Sequence, residues 1–209
     1  MASTHSHAEL CALAVRWLKR PTSAGGHGCL VAVSEARPEG IGECPDAIGF
    51  RAGWNDGSVL VECKASRADF LADRTKAHRQ PGCGMGTWRY YMAPAGLLRP
   101  DDLPAKWGLL EVNARGHINA LVGPAVHRRN HRDHSQALTD FRHQSSDVER
   151  ERALLVRLLA RLGDVEAANL RFRESMRVQQ RMAVTIEKLQ GQLREAQLRS
   201  WSSGTAIAP

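Results

Sequence analysis

The chain has 209 residues, with 29 Lys and Arg against 22 Asp and Glu and a formal net charge of +7. This length predicts one domain of ordinary size with an appendage and argues against two full domains. The basic balance suits a polyanionic partner but does not establish one, since ribosomal, membrane-surface and merely soluble proteins share it.

The cysteines and the apolar segments bear on location. Five cysteines without a CxxC pair argue against a disulfide framework and fit a reducing cytoplasm. Residues 1–7 lack the basic start and the apolar run of a signal peptide. No stretch approaches the roughly 18 uninterrupted apolar residues of a membrane span. We therefore expect a cytoplasmic protein without a membrane partner.

The first predicted elements each carry one acidic candidate. Residues 8–20 have the apolar spacing of a helix, and Glu9 at its start is either favoured by the helix dipole or part of a site. Residues 29–33 then form a short apolar strand. Glu35, just beyond that strand, is either a supporting site residue or a solvated strand end.

Residues 45–64 predict two strands joined by a tight turn, because an Asp-Gly step at 56–57 lies between aliphatic flanks. Antiparallel pairing about this turn would bring Asp46 within a residue or two of Glu62 and Lys64. A buried strand that ends on an acid and an ammonium is costly unless a cation or a substrate completes the charges. The hairpin therefore predicts a metal site.

These residues resemble a known family. Asp46 follows a proline, and sixteen residues later come Glu62, Cys63 and Lys64 at the end of an apolar strand, which is similar to the PD-(D/E)xK nuclease core. The similarity covers roughly residues 9–122 and resembles the MmcB-type DNA-repair and phage-encoded members. It implies a restriction-endonuclease-like fold and hydrolysis of phosphodiester bonds, with DNA the favoured substrate, in repair or in phage DNA metabolism.

The resemblance also implies roles for individual residues. Asp46, Glu62 and the Cys63 carbonyl would hold Mg²⁺ or Mn²⁺, which favour oxygen ligands. Lys64 would help to deprotonate or orient the attacking water. Many members place an additional acid on the first helix, where this chain has Glu9.

A basic helix is predicted to follow the hairpin and to run to Pro81. Ser66 and Asp69 have the S-x-x-D spacing of a helix start, and its free amides would point toward the same strand end, where a phosphate could bind. Four basic residues decorate this helix, as a solvated face or as nucleic-acid contacts. They are Arg67, Arg74, Lys76 and Arg79.

Three more strands, at residues 87–92, 106–112 and 117–122, would complete a sheet of about six strands. With the two helices they predict an α/β fold for residues 1–125, a mixed central sheet flanked by helices.

Residues 126–145 are predicted to be a basic His- and Arg-rich linker or a nucleic-acid-contacting arm. The alternative is a zinc site, since His127 and His131 would share one face if this segment were helical.

Residues 146–200 are predicted to be a long helical appendage, since they are rich in Arg, Glu, Leu and Gln and Ser146 begins a capping-box pattern. The Gly-Asp step at 163–164 would break or kink it. Its apolar residues recur in three- and four-residue steps, which predicts a coiled coil or helical hairpin for homo-oligomerisation, with packing against the first domain as the alternative. Residues 201–209 are predicted to be disordered.

Two other functions compete with the nuclease. A non-catalytic adaptor would bind nucleic acid and recruit a partner through the C-terminal helices. A purely structural oligomer would use those helices alone, but it leaves the paired carboxylates unexplained.

Overall fold

The structure is a computed structural model that describes residues 5–34, 43–53, 55–73, 75–76, 79, 83–127, 129–161 and 163–204. The α-helices are α1 (His7–Lys19), α2 (Arg67–Asp73), α3 (His131–Asp140), α4 (Val148–Arg161) and α5 (Val165–Gly204). The strands are β1 (Val31–Ser34), β2 (Ala47–Arg51), β3 (Gly57–Cys63), β4 (Trp88–Pro94), β5 (Trp107–Val112) and β6 (Ile118–Val122). None of the helices in the described part of the chain combines the length and the apolar character needed to cross a membrane.

The six strands form one mixed sheet in the order of the chain. Strands β3, β4 and β5 run parallel to one another, whereas β1, β2 and β6 pair antiparallel to their neighbours. Helix α2 lies in the crossover between the parallel strands β3 and β4. The predicted α/β fold, a mixed central sheet flanked by helices with a long C-terminal helix, is confirmed.

The central hairpin pairs β2 with β3, with Ala47 opposite Val61 and Arg51 opposite Gly57. Positive φ angles of 58° at Asn55 and 142° at Gly57 turn the chain between the strands. A side chain at Gly57 would also meet Thr87, so only glycine fits this position.

Helix α1 covers one face of the sheet. Leu10, Ala14, Trp17 and Leu18 of this helix are buried in the main apolar cluster, which also contains apolar residues of β3, β4 and β5. On the other face Phe70 of α2 packs edge-on against Tyr91 of β4, with ring centroids 5.0 Å apart. The strand end that carries the predicted site therefore lies between two helices.

The segment 126–145, predicted to be a basic linker or a nucleic-acid-contacting arm, is partly helical. It contains α3, whose Ala137 and Leu138 are buried, and the Trp88 indole donates a 2.8 Å hydrogen bond to the Leu138 carbonyl. Accordingly the first of two compact units runs from residue 1 to 155, and the second from 156 to 209. The apolar residues of α3 explain the difference, because burying them against the sheet stabilises a helix that the basic composition obscured.

The C-terminal appendage is helical, as expected. Gly163, with a φ of 79°, lies between α4 and α5, and Asp164 caps α5 by accepting a 2.9 Å hydrogen bond from the Ala167 amide. Asp147, rather than the predicted Ser146, caps α4, since its carboxylate accepts from the Arg150 amide. Helix α5 continues to residue 204, and the rest of the predicted tail lies outside the described residues.

Candidate active site at the end of the central hairpin

The hairpin register places Asp46 level with Glu62, since Ala47 pairs with Val61. The two oxygens of the Asp46 carboxylate have different partners. Oδ2 accepts a 2.8 Å hydrogen bond from the Cys63 amide, and Oδ1 lies 3.4 Å from Nε2 of His7. Asp46 is therefore fixed to the end of β3 on the side that α1 covers.

Glu62 and Lys64 point to the opposite face, as the alternation along the strand predicts. The Lys64 ammonium lies 3.3 Å from Oε2 of Glu62, and each side chain is only 3% exposed. The three residues of the predicted motif thus meet at one strand end. Asp46, however, approaches it from the α1 side, whereas Glu62 and Lys64 face α2.

Asp73 at the end of α2 is the centre of the charges on that face. Its buried carboxylate lies 3.3 Å from the Lys64 ammonium and 2.8 Å from that of Lys76. It also accepts hydrogen bonds from Nε of Arg79 at 2.8 Å and from the Tyr91 hydroxyl at 3.0 Å. Asp73 therefore links α2 to Lys64, which follows β3, and to Tyr91 of β4.

Arg79 completes this cluster, and the prediction that it contacts nucleic acid is wrong. Its guanidinium is 3% exposed and lies between the carboxylates of Glu43, Glu62 and Asp73. One of its nitrogens lies 2.6 Å from Oε1 of Glu62, but this contact lacks hydrogen-bond geometry. We call Glu43, Glu62, Lys64, Asp73 and Arg79 the buried charge cluster.

The cluster holds three carboxylates and two cations, and the half-exposed Lys76 adds a third positive charge at Asp73. Burial raises the pKa of Glu62 to about 7, although Arg79 and Lys64 act in the opposite direction and the nearby charge of Asp46 adds to the rise. Burial alone would lower the pKa of Lys64, but the carboxylates of Glu62 and Asp73 raise it above its usual value. Lys64 is therefore an ammonium at neutral pH, and Glu62 loses its proton at a higher pH than an ordinary glutamate does.

Helix α2 is shorter than the predicted helix, because it ends at Asp73 rather than near Pro81. After Asp73 the chain turns, which brings the Arg79 guanidinium back onto the carboxylate of Asp73. Arg79 therefore makes three buried ion pairs in place of the solvated position that a continuous helix would have given it.

Other predicted residues have local roles. The Glu9 carboxylate accepts from the Ser6 amide and hydroxyl in a capping box, so its helix-start interpretation holds and it does not join the cluster. Ser66 accepts from the Asp69 amide at 3.2 Å, as the capping pattern predicts, and Asp69 lies 4.0 Å from Lys64.

The remaining candidates, three basic and one acidic, divide into three cases. Arg67 is about half exposed and forms a two-pronged ion pair with Asp102. Lys76 is 48% exposed while it contacts Asp73. Glu35 and Arg74 lie outside the described residues.

Of the two acidic cluster members that were not predicted, only Asp73 has a weak local signal in the sequence. Asp73 follows Asp69 by four residues on the helix after Lys64, a spacing that places both acids on one face. Glu43 lies among Gly, Cys and Pro in an apparent connection, and nothing local indicates that it is buried against Arg79 and the Met85 amide. His127 and His131 fall in separate helical segments, which removes the shared face that the zinc alternative required.

Fold and site together define an α/β protein with a buried charge cluster at the carboxyl end of the interior strand β3. No family model matches the chain, and no curated protein matches it. Among solved structures, it is similar to a protein of unknown function from Silicibacter pomeroyi, at 23% sequence identity and a TM-score of 0.41, over 78% of this chain and 94% of that chain.

Proposed function

We propose that the protein is a metal-dependent nuclease that hydrolyses phosphodiester bonds, with DNA as the favoured substrate. One observation carries the proposal: Asp46 from one arm of the hairpin and Glu62 and Lys64 from the other meet at a single strand end. The resemblance to PD-(D/E)xK nucleases requires these residues at one strand end, which Asp46 approaches from the α1 side.

The residues present fit a hard divalent cation. Asp46, Glu62 and the Cys63 carbonyl supply oxygen ligands, which Mg²⁺ and Mn²⁺ favour. Oε1 of Glu62 is buried and makes no hydrogen bond, although the Arg79 guanidinium lies 2.6 Å from it. When bound, the cation would polarise the phosphate and make a bound water more acidic.

The chain's own groups would orient the reactants. The raised pKa of Lys64 favours a role as a hydrogen-bond donor, to a phosphate oxygen or to the attacking water, over a role as a proton acceptor. Asp73, 3.3 Å from the Lys64 ammonium, would hold it in place. The Cys63 amide would similarly fix the Asp46 carboxylate through its 2.8 Å hydrogen bond.

The test is cleavage of single-stranded, double-stranded and branched DNA with Mg²⁺ or Mn²⁺ and with EDTA. We expect D46N, E62Q and K64M each to lower the rate by orders of magnitude, on the order of 10²–10⁴-fold. D101N changes an exposed acid outside the cluster and is the matched control, with an unchanged rate expected. Intact DNA under every metal condition, or equal cleavage by all four variants, would overturn the proposal.

A second candidate is a non-catalytic adaptor that binds nucleic acid. It is favoured by the contact of Arg79 with Glu62, because the guanidinium lies against the oxygen that a metal would take. An adaptor should bind DNA equally well with Mg²⁺ and with EDTA and should never cut it. Metal-dependent cleavage by the wild type, lost in E62Q, rules this candidate out.

We further propose that α5 mediates homo-oligomerisation. Exposed apolar residues recur along it in a heptad pattern, at alternating steps of four and three in its second half. They are Met182, Ile186, Leu189 and Leu193, preceded by Val165 and Phe172 on the same line, and all are at least 46% exposed. Such a stripe is self-complementary, so a second copy of this helix is the partner that it fits.

Sedimentation of the full chain tests this oligomer. I186E places a charge on the stripe and should yield monomers, whereas V184E places the same charge on the opposite side of the helix and should leave the assembly intact. A wild type that sediments as a monomer at micromolar concentration would refute the proposal, as would equal sedimentation of the two variants.

A further inference from the structure

Three potential metal ligands of different chemistry converge beside the charge cluster, on the face that α1 covers. His7 and Cys11 are four residues apart on α1 and so share one side of the helix. With Asp46 they bring an imidazole nitrogen, a thiol sulfur and a carboxylate oxygen within 4.8 Å of one another. Two of these separations, from Nε2 of His7 to Sγ of Cys11 and to Oδ1 of Asp46, are each 3.4 Å.

These separations match a tetrahedral zinc site. Zn–N and Zn–O bonds of about 2.0–2.1 Å and a Zn–S bond of about 2.3 Å place neighbouring ligand atoms about 3.3–3.6 Å apart. The two 3.4 Å distances already lie in this range. The third pair, Cys11 with Asp46, would need to approach by no more than about 1.3 Å from its upper bound.

Protein contacts alone do not satisfy the three groups. Nε2 of His7 faces both the Cys11 thiol and the Asp46 carboxylate, yet one ring nitrogen can donate a single proton or accept a single hydrogen bond. Only the contact with Cys11 has hydrogen-bond geometry, so Oδ1 of Asp46 lies near the ring nitrogen at an ion-pair distance alone. A cation at the centre of the three atoms would bind the nitrogen, the sulfur and this oxygen together.

The surroundings hold two of the ligands in place. The Cys63 amide binds Oδ2 of Asp46 and leaves Oδ1 directed at His7, as supporting hydrogen bonds do in metal sites. Cys11 is held by its burial in the main apolar cluster. The site is also reachable from solvent, since the His7 side chain is 44% exposed and that of Asp46 is 18% exposed.

We propose that His7, Cys11 and Asp46 form a Zn²⁺ site with the fourth position open to water or a further ligand. On binding, the Cys11 thiol loses its proton to the solvent and ligates as thiolate. The mixed nitrogen, sulfur and oxygen set favours zinc over magnesium, which takes oxygen ligands.

Because Asp46 belongs to both sites, zinc bound here competes with the cation of the cleavage reaction. This consequence rests on the proposed function, whereas the zinc binding itself does not. Zinc should therefore inhibit Mg²⁺-dependent cleavage by the wild type but not by H7Q.

The experiment titrates metal-free, reduced full-length protein with Co²⁺, which takes the place of zinc and reports its ligands by absorption. We expect one Co²⁺ per chain, a tetrahedral visible spectrum, a thiolate-to-cobalt charge-transfer band and displacement by Zn²⁺. C11S should abolish the charge-transfer band. H7Q, which changes a half-exposed side chain and keeps the core intact, should lower the affinity at least tenfold. C83S and H131Q alter an exposed thiol and an exposed imidazole and serve as matched controls.

A charge-transfer band that persists in C11S, or an affinity unchanged in H7Q, would overturn the zinc site. The two proposals can also fail separately. Zinc binding without DNA cleavage under any condition contradicts the nuclease alone. Cleavage that depends on Mg²⁺ in a chain that takes up no Co²⁺ contradicts the zinc site alone.

Discussion

Replacing Arg79 by methionine removes one positive charge from the buried charge cluster while it keeps much of the side-chain volume. In the wild type three carboxylates, those of Glu43, Glu62 and Asp73, face the cations of Arg79 and Lys64. In R79M the same three carboxylates face Lys64 alone within the cluster. Removing one member of a buried ion pair costs about 3–5 kcal/mol, because the partner charge stays buried without compensation.

The pH dependence of this loss distinguishes charge from packing. Burial already raises the pKa of Glu62 to about 7 although Arg79 opposes the rise, so R79M should raise it further. A carboxyl whose pKa is raised on folding adds stability below its unfolded pKa and loses it as the pH rises through the folded value. We therefore expect the loss in R79M to be about 3–5 kcal/mol near pH 8 and about 1 kcal/mol smaller near pH 5.5.

Urea unfolding followed by tryptophan fluorescence measures this difference, since Trp17, Trp88 and Trp107 are buried in the first unit. R115M changes an exposed arginine and should match the wild type at both pH values. A loss below about 1 kcal/mol in R79M, or a loss that grows as the pH falls, would refute the account of the cluster.

Three further changes test separate contacts. H143F should remove about 1–2 kcal/mol of acid destabilisation between pH 6.5 and 4 relative to the exposed control H131Q, because burial lowers the pKa of His143 to about 4 and solvent screens part of this effect; equal pH profiles in urea unfolding would contradict this. G108A should cost about 1–3 kcal/mol in thermal unfolding, since its Cβ would lie 2.2 Å from the Tyr90 ring; an unchanged midpoint would show that the ring yields freely. Y91F should lower the unfolding free energy by about 1–2 kcal/mol, as it deletes the donor to Asp73; a neutral effect would mean that this bond contributes nothing net.

The hairpin could be predicted because its signals are local. Alternating aliphatic residues set the faces of β3, the Asp-Gly step fixes the turn, and the two together place Asp46 level with Glu62. The separation of Glu62 and Lys64 from the α1 face also follows from the period of two along a strand.

The partners of those residues could not be predicted, because they depend on distant packing. In the sequence, Arg79 cannot be told from the other cations of the predicted helix. Only the turn after Asp73 brings its guanidinium back onto the Asp73 carboxylate. Glu43 is buried through Arg79 and the Met85 amide, which lies 42 residues away in sequence. In the same way α3 is helical where the composition suggested a linker, since the contacts of Ala137 and Leu138 decide its structure.

The most direct test of the central claim is a crystal of the protein grown with Mn²⁺, measured for anomalous scattering at a manganese-specific wavelength. The account predicts a peak bound by the carboxylates of Asp46 and Glu62 and the carbonyl of Cys63, with Arg79 moved off Oε1 of Glu62. Density in which Arg79 still contacts Glu62 and no manganese touches either carboxylate would contradict a metal-dependent nuclease at this site.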